Sequence, residues 1–226
     1  MEAPSTPEPA VALPCFIADA FATFPLLASY DAPWSMVAHA AELVRAAMRT
    51  LGSEYAVTDS VAVHHTAVVE TGAVIRGPAI VSRGCTVAAH AYLRGGVFLS
   101  EDVRIGPSCE VKTSFVFRGS TLAHLNYVGD SLIGASANLE AGAVLANHFN
   151  ERTDKRISVV IDGRIAPTGV EKFGALVGDG SRIGANAVTM PGTILRPKSI
   201  VGRLTLVDQM TEFRARQQDI PAGDGR

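Results

Sequence analysis

The chain has 226 residues, of which 47% are hydrophobic and 19% are charged, and it contains 21 glycines. This composition is too apolar for intrinsic disorder and allows one sizeable core with a small appendage. The net charge of −2 gives no electrostatic reason to expect a nucleic acid or a membrane surface as a partner, and no apolar run reaches the roughly 20 residues that cross a bilayer.

Residues 1–60 are predicted to form a tail, over residues 1–13, followed by a helical cap. The tail is acidic and Pro-rich and lacks the basic region of a signal peptide, and the three cysteines show no metal-ligand spacing. The expected location is therefore the reducing cytoplasm. Residues 34–51 combine helix formers with apolar residues at helical spacing. This helix is expected to cover the open first coil of the repeat that follows, because terminal repeats must hide their apolar end.

Residues 61–205 carry a six-residue repeat that predicts a parallel β-helix. Every sixth residue from Val63 to Phe117 is aliphatic or aromatic, and the residue two positions earlier is apolar in every hexad. Each hexad is therefore a short strand followed by a turn, and stacked hexads bury a continuous core. Three hexads make one triangular coil, so residues 18 apart lie above each other, about 4.8 Å apart. The pattern does not fix the hand of the coil.

A ladder of positive charge follows from this stacking rule. Arg76, Arg94 and Lys112 are separated by 18 residues each, so they are expected to stack at one corner of the prism. Stacked like charges repel, which favours an anion such as a sugar phosphate as a ligand. The alternative is a solvated row of surface cations paired with Glu110 or Glu70, and spacing alone supports both interpretations equally.

The repeat is disturbed at two places. Between Phe117 and Ile133 the hexad phase slips, which predicts a local bulge around His124, although a single histidine is more often structural than catalytic. Residues 147–172 then interrupt the hexads with a loop excursion, in which a hairpin is expected to turn at Asp162–Gly163. The period resumes as far as Val201, with Thr189 breaking the apolar column. Residues 206–226 are predicted to form a polar C-terminal tail with a short helix near residues 209–216.

Residues 124–144, HLNYVGDSLIGASANLEAGAV, resemble the acetyltransferase domain of the bifunctional N-acetylglucosamine-1-phosphate uridylyltransferase/glucosamine-1-phosphate acetyltransferases, whose pattern reads close to HLTYLGDxxIGxxxNIGAGT. The segments AYLRGG and EVK are similar to that family's RLRPG and EMK segments, and the separations match without gaps. The resemblance is close over residues 90–147 and looser elsewhere. It implies an all-β, left-handed parallel β-helix with a small N-terminal helical cap, assembled as a homotrimer with sites shared between subunits.

The resemblance also implies roles for individual residues. His124 would be the general base, with Glu110 orienting or supporting it. The acceptor phosphate would be held by Arg94 and Lys112. The remaining assignments are Tyr127, Asn138 and Asn147 for the sugar or phosphate, Lys155 for a substrate-binding lysine of the family, and Ala185 for the position where the family has a serine near the thioester of the acyl donor.

Two further features bear on the activity. Residues 159–193 are similar to the corresponding part of archaeal-type sugar-1-phosphate nucleotidylyltransferases with a β-helical C-terminal half, which favours the excursion as an active-site element. The Gly-rich nucleotidyltransferase domain of these families is missing, because residues 1–60 are too short to form it. The chain is therefore expected not to make a sugar nucleotide.

The sequence thus predicts an acyltransferase that moves an acetyl group from acetyl-CoA to an amino-sugar phosphate such as glucosamine-1-phosphate. Acetyl-CoA is expected as the donor, with no tightly bound cofactor. Alternatives are an acyltransferase acting on a nucleotide-linked sugar, an O-acetyltransferase, a metal enzyme of the γ-carbonic-anhydrase type and a non-catalytic sugar-phosphate-binding β-helix. The metal enzyme is disfavoured because the six histidines show no set of three converging ligands.

Overall fold

The computed structural model describes residues 11–218 and confirms the predicted solenoid, a left-handed parallel β-helix of about eight turns. The helices are α1 (Ala20–Thr23), α2 (Pro33–Ala38), α3 (Ala40–Met48) and α4 (Gln209–Gln218), with 3-10 helices at Leu13–Cys15 and Pro25–Ser29. The strands are β1 (Tyr55–Thr58), β2 (Val61–His64), β3 (Val68–Val69), β4 (Val74–Ile75), β5 (Ala79–Val81), β6 (Thr86–Val87), β7 (Tyr92–Leu99), β8 (Arg104–Ile105), β9 (Glu110–Val116), β10 (Thr121–Leu122), β11 (Tyr127–Gly129), β12 (Leu132–Ile133), β13 (Asn138–Leu139), β14 (Val144–Leu145), β15 (Ser158–Ile161), β16 (Arg164–Pro167), β17 (Ala175–Val177), β18 (Arg182–Ile183), β19 (Val188–Thr189), β20 (Thr193–Leu195), β21 (Ile200–Val201) and β22 (Leu206–Val207).

The strands form three walls that follow one another around each coil. The first wall contains β2, β5, the ends of β7 and β9, β12, β17 and β20. The second wall contains β3, β6, β8, β10, β13, β18 and β21. The third wall contains β4, the beginnings of β7 and β9, β11, β14, β19 and β22. Because β7 and β9 continue around a corner, the third and first walls belong to one sheet.

The interior of the prism contains the small and large apolar columns that the hexads predicted. Cys85 and Cys109 are fully buried in the small column, and burial raises the pKa of the Cys85 thiol to about 11, so both cysteines pack as small apolar groups. Thr189 is also fully buried, and its hydroxyl has no hydrogen-bond partner within residues 11–218. The break that Thr189 makes in the column is therefore an unsatisfied polar group inside the core.

The phase slip lies at a different edge from the one expected. Arg94 pairs with Lys112, but Val97 pairs with Ser114, so the register shifts around Gly95 and Gly96, where both glycines have positive φ. Later coils turn this edge with one residue fewer. As a consequence Val116 and not Phe117 faces the interior, and Phe117 points outward. The predicted bulge around His124 is replaced by a shortened corner between the third and first walls.

The helical segment covers the side of the prism, whereas it was expected over the open first coil. The outward residues of the first wall are themselves apolar and buried; these are Ala62, Ile80, Phe98, Phe115, Leu132, Leu176 and Ile194. They pack with buried residues of the N-terminal segment such as Trp34 and Leu27. A Cβ on Gly96 would lie 2.5 Å from the Ala41 nitrogen, so only glycine lets α3 approach the wall this closely. The physical reason is that an apolar outer face must be covered wherever it lies.

The remaining boundaries differ slightly from those predicted. The hairpin is confirmed, because β15 and β16 pair antiparallel across the Asp162–Gly163 turn. The β-helix extends through β22 to Val207, and α4 occupies the predicted C-terminal tail. Val11 and Leu13, placed in the N-terminal tail by sequence, are buried, and residues 1–10 and 219–226 lie outside the described residues. No helix within residues 11–218 is long and apolar enough to cross a membrane.

Candidate functional site

The predicted cation ladder lies at the edge between the third and first walls, which we call the basic edge. Arg94 and Lys112 are register partners on β7 and β9. Arg76 lies one coil before Arg94, and its backbone nitrogen donates to the Leu93 carbonyl. The three cations therefore stack as the 18-residue rule predicted. The guanidinium carbons of Arg76 and Arg94 also lie 5.6 and 5.7 Å from the centroid of the Tyr92 ring.

Two of these cations have carboxylate partners within the chain. Arg94 donates from Nη2 and Nε to Glu110 Oε1 at 2.6 and 2.9 Å. Lys112 Nζ lies 2.6 Å from Asp130 Oδ2, and these two side chains are only 16% and 7% exposed. Arg76 has no carboxylate partner within residues 11–218. The predicted pairing with Glu110 is confirmed for Arg94, whereas Lys112 is largely buried and pairs with Asp130 instead of Glu110 or Glu70. Three cations against two carboxylates leave the basic edge with one net positive charge.

A hydrogen-bonded polar network extends the basic edge along the third wall. The Asn147 amide donates to Asp130 Oδ2, and the Tyr127 hydroxyl donates to Asn147 Oδ1 at 3.2 Å. Burial, followed by the charge of Asp130, raises the pKa of Tyr127, so the phenol stays neutral and keeps its proton to donate. A Cβ on Gly129 would lie 2.7 Å from both the Asn147 amide nitrogen and the Tyr127 hydroxyl, so the network requires glycine there.

His124 lies at the opposite end of the third wall, on the edge between the second and third walls, which we call the histidine edge. It occupies the turn between β10 and β11 and is exposed, not turned into the apolar interior. The Gly142 nitrogen donates to the His124 carbonyl, and the Asn186 nitrogen donates to the Ala141 carbonyl. His124 and Ala185 are therefore two coils apart on one edge, roughly 10 Å.

Glu140 organises the histidine edge near Ala185. Its carboxylate accepts from the Ala185 backbone nitrogen at 3.0 Å and from Arg203 Nη2 at 2.8 Å. These hydrogen bonds, the one from Ala185 first, lower the pKa of Glu140. The backbone around Ala185 is thus held by a carboxylate that the sequence reasoning did not single out.

The structure brings together some predicted site residues and separates others. Arg94, Glu110, Lys112, Tyr127 and Asn147 form one cluster on the basic edge. The support of His124 by Glu110 is not formed within residues 11–218 of one chain, because the Glu110 carboxylate is engaged by Arg94. His124 is also separated from the cluster along the third wall, because it precedes Tyr127 by three residues, roughly 10 Å of extended chain.

The other two predicted residues lie away from this cluster. Asn138 lies on the second wall, where it pairs with Thr121 and Arg182 and is exposed. Lys155 lies in the excursion and has no hydrogen bond or ion pair to the cluster within the described part of the chain. The roles assigned to the individual residues remain predictions.

Asp130 is a central residue of the cluster that sequence reasoning missed. It accepts from both Lys112 and Asn147, and its side chain is 7% exposed. The signal was present, because Asp130 follows Lys112 by 18 residues and belongs to the quoted HLNYVGD segment. Across residues 11–218, no group of three or more His, Cys, Asp or Glu residues is arranged to hold a metal ion.

Comparisons with known proteins agree with the resemblance read from the sequence. The chain is 37% identical over 123 residues to the bifunctional protein GlmU of Methanococcus vannielii, covering 54% of this chain and 29% of that protein. It is 40% identical over 104 residues to a bifunctional sugar-1-phosphate nucleotidylyltransferase/acetyltransferase of Sulfurisphaera tokodaii, covering 46% of this chain and 25% of that protein. The matched region is thus less than a third of the length of either relative.

Solved structures add a distant likeness. A hexapeptide transferase family protein from Anaplasma phagocytophilum aligns with a TM-score of 0.38 and 16% identity, covering 70% of this chain and 85% of that protein. A comparison with protein-family models finds no match.

Proposed function

We propose that this protein transfers an acetyl group from acetyl-CoA to an amino-sugar phosphate such as glucosamine-1-phosphate. The observation that carries the proposal is the basic edge, with its net positive charge and its Tyr127–Asn147 network, built by the segment that resembles an amino-sugar-phosphate acetyltransferase. The names of the sequence relatives, which include an acetyltransferase, support the same class of reaction. Acetyl-CoA acts as a substrate in this reaction, not as a resident cofactor.

The basic edge supplies the acceptor site. The side chain of Arg94 is 37% exposed, so its guanidinium can bind a phosphate while it still contacts Glu110. Lys112 is more deeply buried and contributes mainly by its positive field. Tyr127 and Asn147 offer a hydroxyl and an amide to the sugar. These contacts orient the acceptor amine towards the thioester carbon.

The histidine edge supplies the proton transfer. The His124 imidazole takes a proton from the amine as the nitrogen bonds to the thioester carbon, and the carbon–sulfur bond then breaks. The proton ends on the departing thiol, so the products are the N-acetyl sugar phosphate and free CoA. Glu140 holds the backbone at Ala185, which lines the path of the acyl donor on the same edge.

A homotrimer joins the two edges, because within one chain they lie at opposite ends of the third wall. We place the histidine edge of one copy against the basic edge of its neighbour. Leu125 and Leu204 support this arrangement: both lie on the histidine edge, 66% and 80% exposed, at φ values of 53° and 57°. Large apolar residues are uncommon in left-handed turns, and their exposure is relieved when another copy covers them. The free thiols of all three cysteines accord with a cytoplasmic location.

The experiment measures free thiol after the purified protein is given acetyl-CoA and glucosamine-1-phosphate. We expect release with the wild type and a loss of about 10²- to 10⁴-fold in kcat for His124→Ala. His90→Ala is the matched control, because His90 is an exposed histidine in an earlier turn of the same edge, and it should retain full activity.

Three outcomes would contradict parts of the proposal. Equal activity of His124→Ala and the wild type would remove His124 from the mechanism. Thiol release only with a nucleotide-linked amino sugar would show that this sugar, and not an amino-sugar phosphate, is the acceptor. Binding of glucosamine-1-phosphate without thiol release for any acceptor would leave a sugar-phosphate-binding protein in place of an enzyme.

A further inference from the structure

Arg76 is the member of the cation ladder whose guanidinium has no acceptor within residues 11–218. Its side chain is exposed and makes no hydrogen bond and no ion pair in this part of the chain. Asp59 lies in the turn between β1 and β2 with its backbone beside Gly77, yet it makes no ion pair with Arg76 among the described residues. All five N–H donors of the Arg76 guanidinium are therefore free to bind a ligand.

Arg94, one coil later, also keeps part of its guanidinium free. Its Nε and Nη2 atoms donate to one Glu110 oxygen, which uses two of the five N–H groups and leaves three. The backbones of Arg76 and Arg94 stack as neighbouring strands do, about 4.8 Å apart. The two guanidinium groups together offer eight free N–H donors at one place on the basic edge.

The Tyr92 ring contacts both guanidinium groups. Their carbons lie at nearly the same distance from its centroid, 5.6 Å for Arg76 and 5.7 Å for Arg94. An arginine attracted to an aromatic ring loses part of its freedom before a ligand arrives, which lowers the entropic cost of binding. The Tyr92 hydroxyl makes no hydrogen bond within residues 11–218, so the ring is the part of this side chain that positions the arginines.

The order of residues along the basic edge places Arg76 at its end. Successive coils carry Arg76, then Arg94, then Lys112, and then the Tyr127–Asn147 network. A sugar that contacts Tyr127 and Asn147 therefore reaches Arg94 with its phosphate, and Arg76 lies where a substituent on that phosphate would continue. An ester group at this position would take the place of an oxygen that can accept hydrogen bonds from Arg76.

We propose that Arg76 is a second phosphate-binding residue of the acceptor site and selects a phosphate monoester over a phosphodiester. A monoester carries about two negative charges on three free oxygens, whereas each phosphate of a diester carries one charge. Arg94 already shares its guanidinium with Glu110, so Arg76 recognises the second charge and the third oxygen. This inference rests on the proposed function and narrows its acceptor to amino sugars with a terminal phosphate.

The test is isothermal titration calorimetry of the full chain with glucosamine-1-phosphate and with the methyl phosphodiester of the same sugar phosphate. We expect the wild type to bind the monoester about tenfold more tightly than the diester. Arg76→Gln should weaken monoester binding about tenfold and leave diester binding within about twofold of the wild type, so the preference disappears. Arg104→Gln is the matched control, because Arg104 is also exposed and unpaired within residues 11–218 but lies on the second wall, and it should keep the preference.

A second pair of variants tests the ring that positions the two arginines. Tyr92→Leu removes the aromatic face and should weaken monoester binding about threefold. Tyr92→Phe keeps the face and removes only the unbonded hydroxyl, so it should bind the monoester like the wild type. Thermal unfolding by circular dichroism verifies that each variant is folded. Equal binding by folded Tyr92→Leu and Tyr92→Phe would overturn the role given to the ring.

The remaining outcomes separate this inference from the proposed function. Equal binding of monoester and diester by the wild type, or equal effects of Arg76→Gln and Arg104→Gln, would overturn the inference and leave the proposed acetyl transfer standing. Tighter binding of UDP-glucosamine than of glucosamine-1-phosphate, lost in Arg76→Gln, would assign Arg76 to a diphosphate and overturn the monoester. Absence of wild-type binding to all of these amino-sugar phosphates would overturn the proposed acceptor itself.

Discussion

The basic edge and the histidine edge are built from the same repeat, yet they differ in how far one chain satisfies its own polar groups. On the basic edge Lys112, Asp130 and Asn147 are bonded to one another and largely buried. On the histidine edge His124 is exposed and two leucines project into solvent. The polar groups around Lys112 are thus paired within a single chain, whereas the side chains of His124, Leu125 and Leu204 face solvent.

This difference separates two requirements of a transferase. Holding a phosphate needs charges that are fixed in advance, and fixed charges need neighbours of opposite sign in the same chain. Transferring a proton needs a group that reaches the substrate and is not tied up in an ion pair. In the proposed homotrimer, the two requirements are met on different edges of one wall, and assembly brings these edges together.

The largest expected effect comes from mixing variants of the two edges. Arg94→Ala and His124→Ala should each lose nearly all acetyl-transfer activity as separate homotrimers. After subunit exchange in equal amounts, about a quarter of the sites should combine an intact Arg94 from one copy with an intact His124 from its neighbour. Thiol release should therefore recover from background to a substantial fraction of the wild-type rate.

The control for that experiment mixes Arg94→Ala with the Arg94→Ala/His124→Ala double variant, which contains no intact Arg94 and should recover nothing. Exchange is verified by native mass spectrometry on differently tagged chains. If exchanged mixtures of the two single variants also stay inactive, the two edges do not cooperate across copies.

The next effect concerns stability of the basic edge. Asp130→Ala leaves the Lys112 ammonium largely buried without a counter-charge, which should lower the free energy of unfolding by about 3 kcal/mol. Glu110→Ala on the same edge should lower it by less than about 1 kcal/mol, because the Arg94–Glu110 pair is about one-third exposed. Urea denaturation measures both. Equal losses would mean that burial does not distinguish the two ion pairs.

Sequence periodicity predicted the interior of the solenoid but not its outer layer. The inward columns repeat every six residues, so they are visible in the chain itself. The outward column of the first wall was not predicted, because a half-buried strand should alternate and Ile80 and Phe98 lie between the inward residues. Their signal was the uninterrupted apolar triplets Ala79–Val81 and Val97–Leu99, which are typical of strands buried on both faces.

The candidate site was predictable to the extent that stacking alone defines it. The 18-residue spacing placed Arg94 beside Lys112, and one further step of the same rule reaches Asp130. The rule did not reveal that Glu110 contacts Arg94 diagonally across neighbouring strands, 16 residues away. The rule does place His124 on a different edge from Lys112, because residues 12 apart are separated by two hexads; His124 precedes β11, whereas Lys112 lies within β9. The shortened corner at Thr113 shifts each later turn by one residue, which is less than the six-residue step between edges.

A smaller effect is expected on assembly through the histidine edge. Leu125→Asn combined with Leu204→Asn removes the exposed apolar side chains and keeps residues that tolerate positive φ, so backbone strain does not rise. Sedimentation velocity should show a shift from trimer towards monomer at micromolar concentration. Val57→Asn removes another exposed apolar side chain, 56% exposed on β1, and should leave the proposed trimer intact. Unchanged assembly of the double variant would place the contact between copies elsewhere.

The smallest expected effect tests the wall between the two edges. Thr189 stacks between Leu145 and Val207 with an unpaired buried hydroxyl, so Thr189→Val should raise the free energy of unfolding by about 1 kcal/mol. Thr193 is the matched contrast, because its buried hydroxyl donates to the Met190 carbonyl at 2.6 Å, and Thr193→Val should lower stability by about 1 kcal/mol. Since Thr189 points into the prism and touches neither edge, the acetyl-transfer rate should stay unchanged. A Thr189→Val variant that is more stable but less active would show that the third wall must move during turnover. Activity at the two edges would then depend on the flexibility of the core between them.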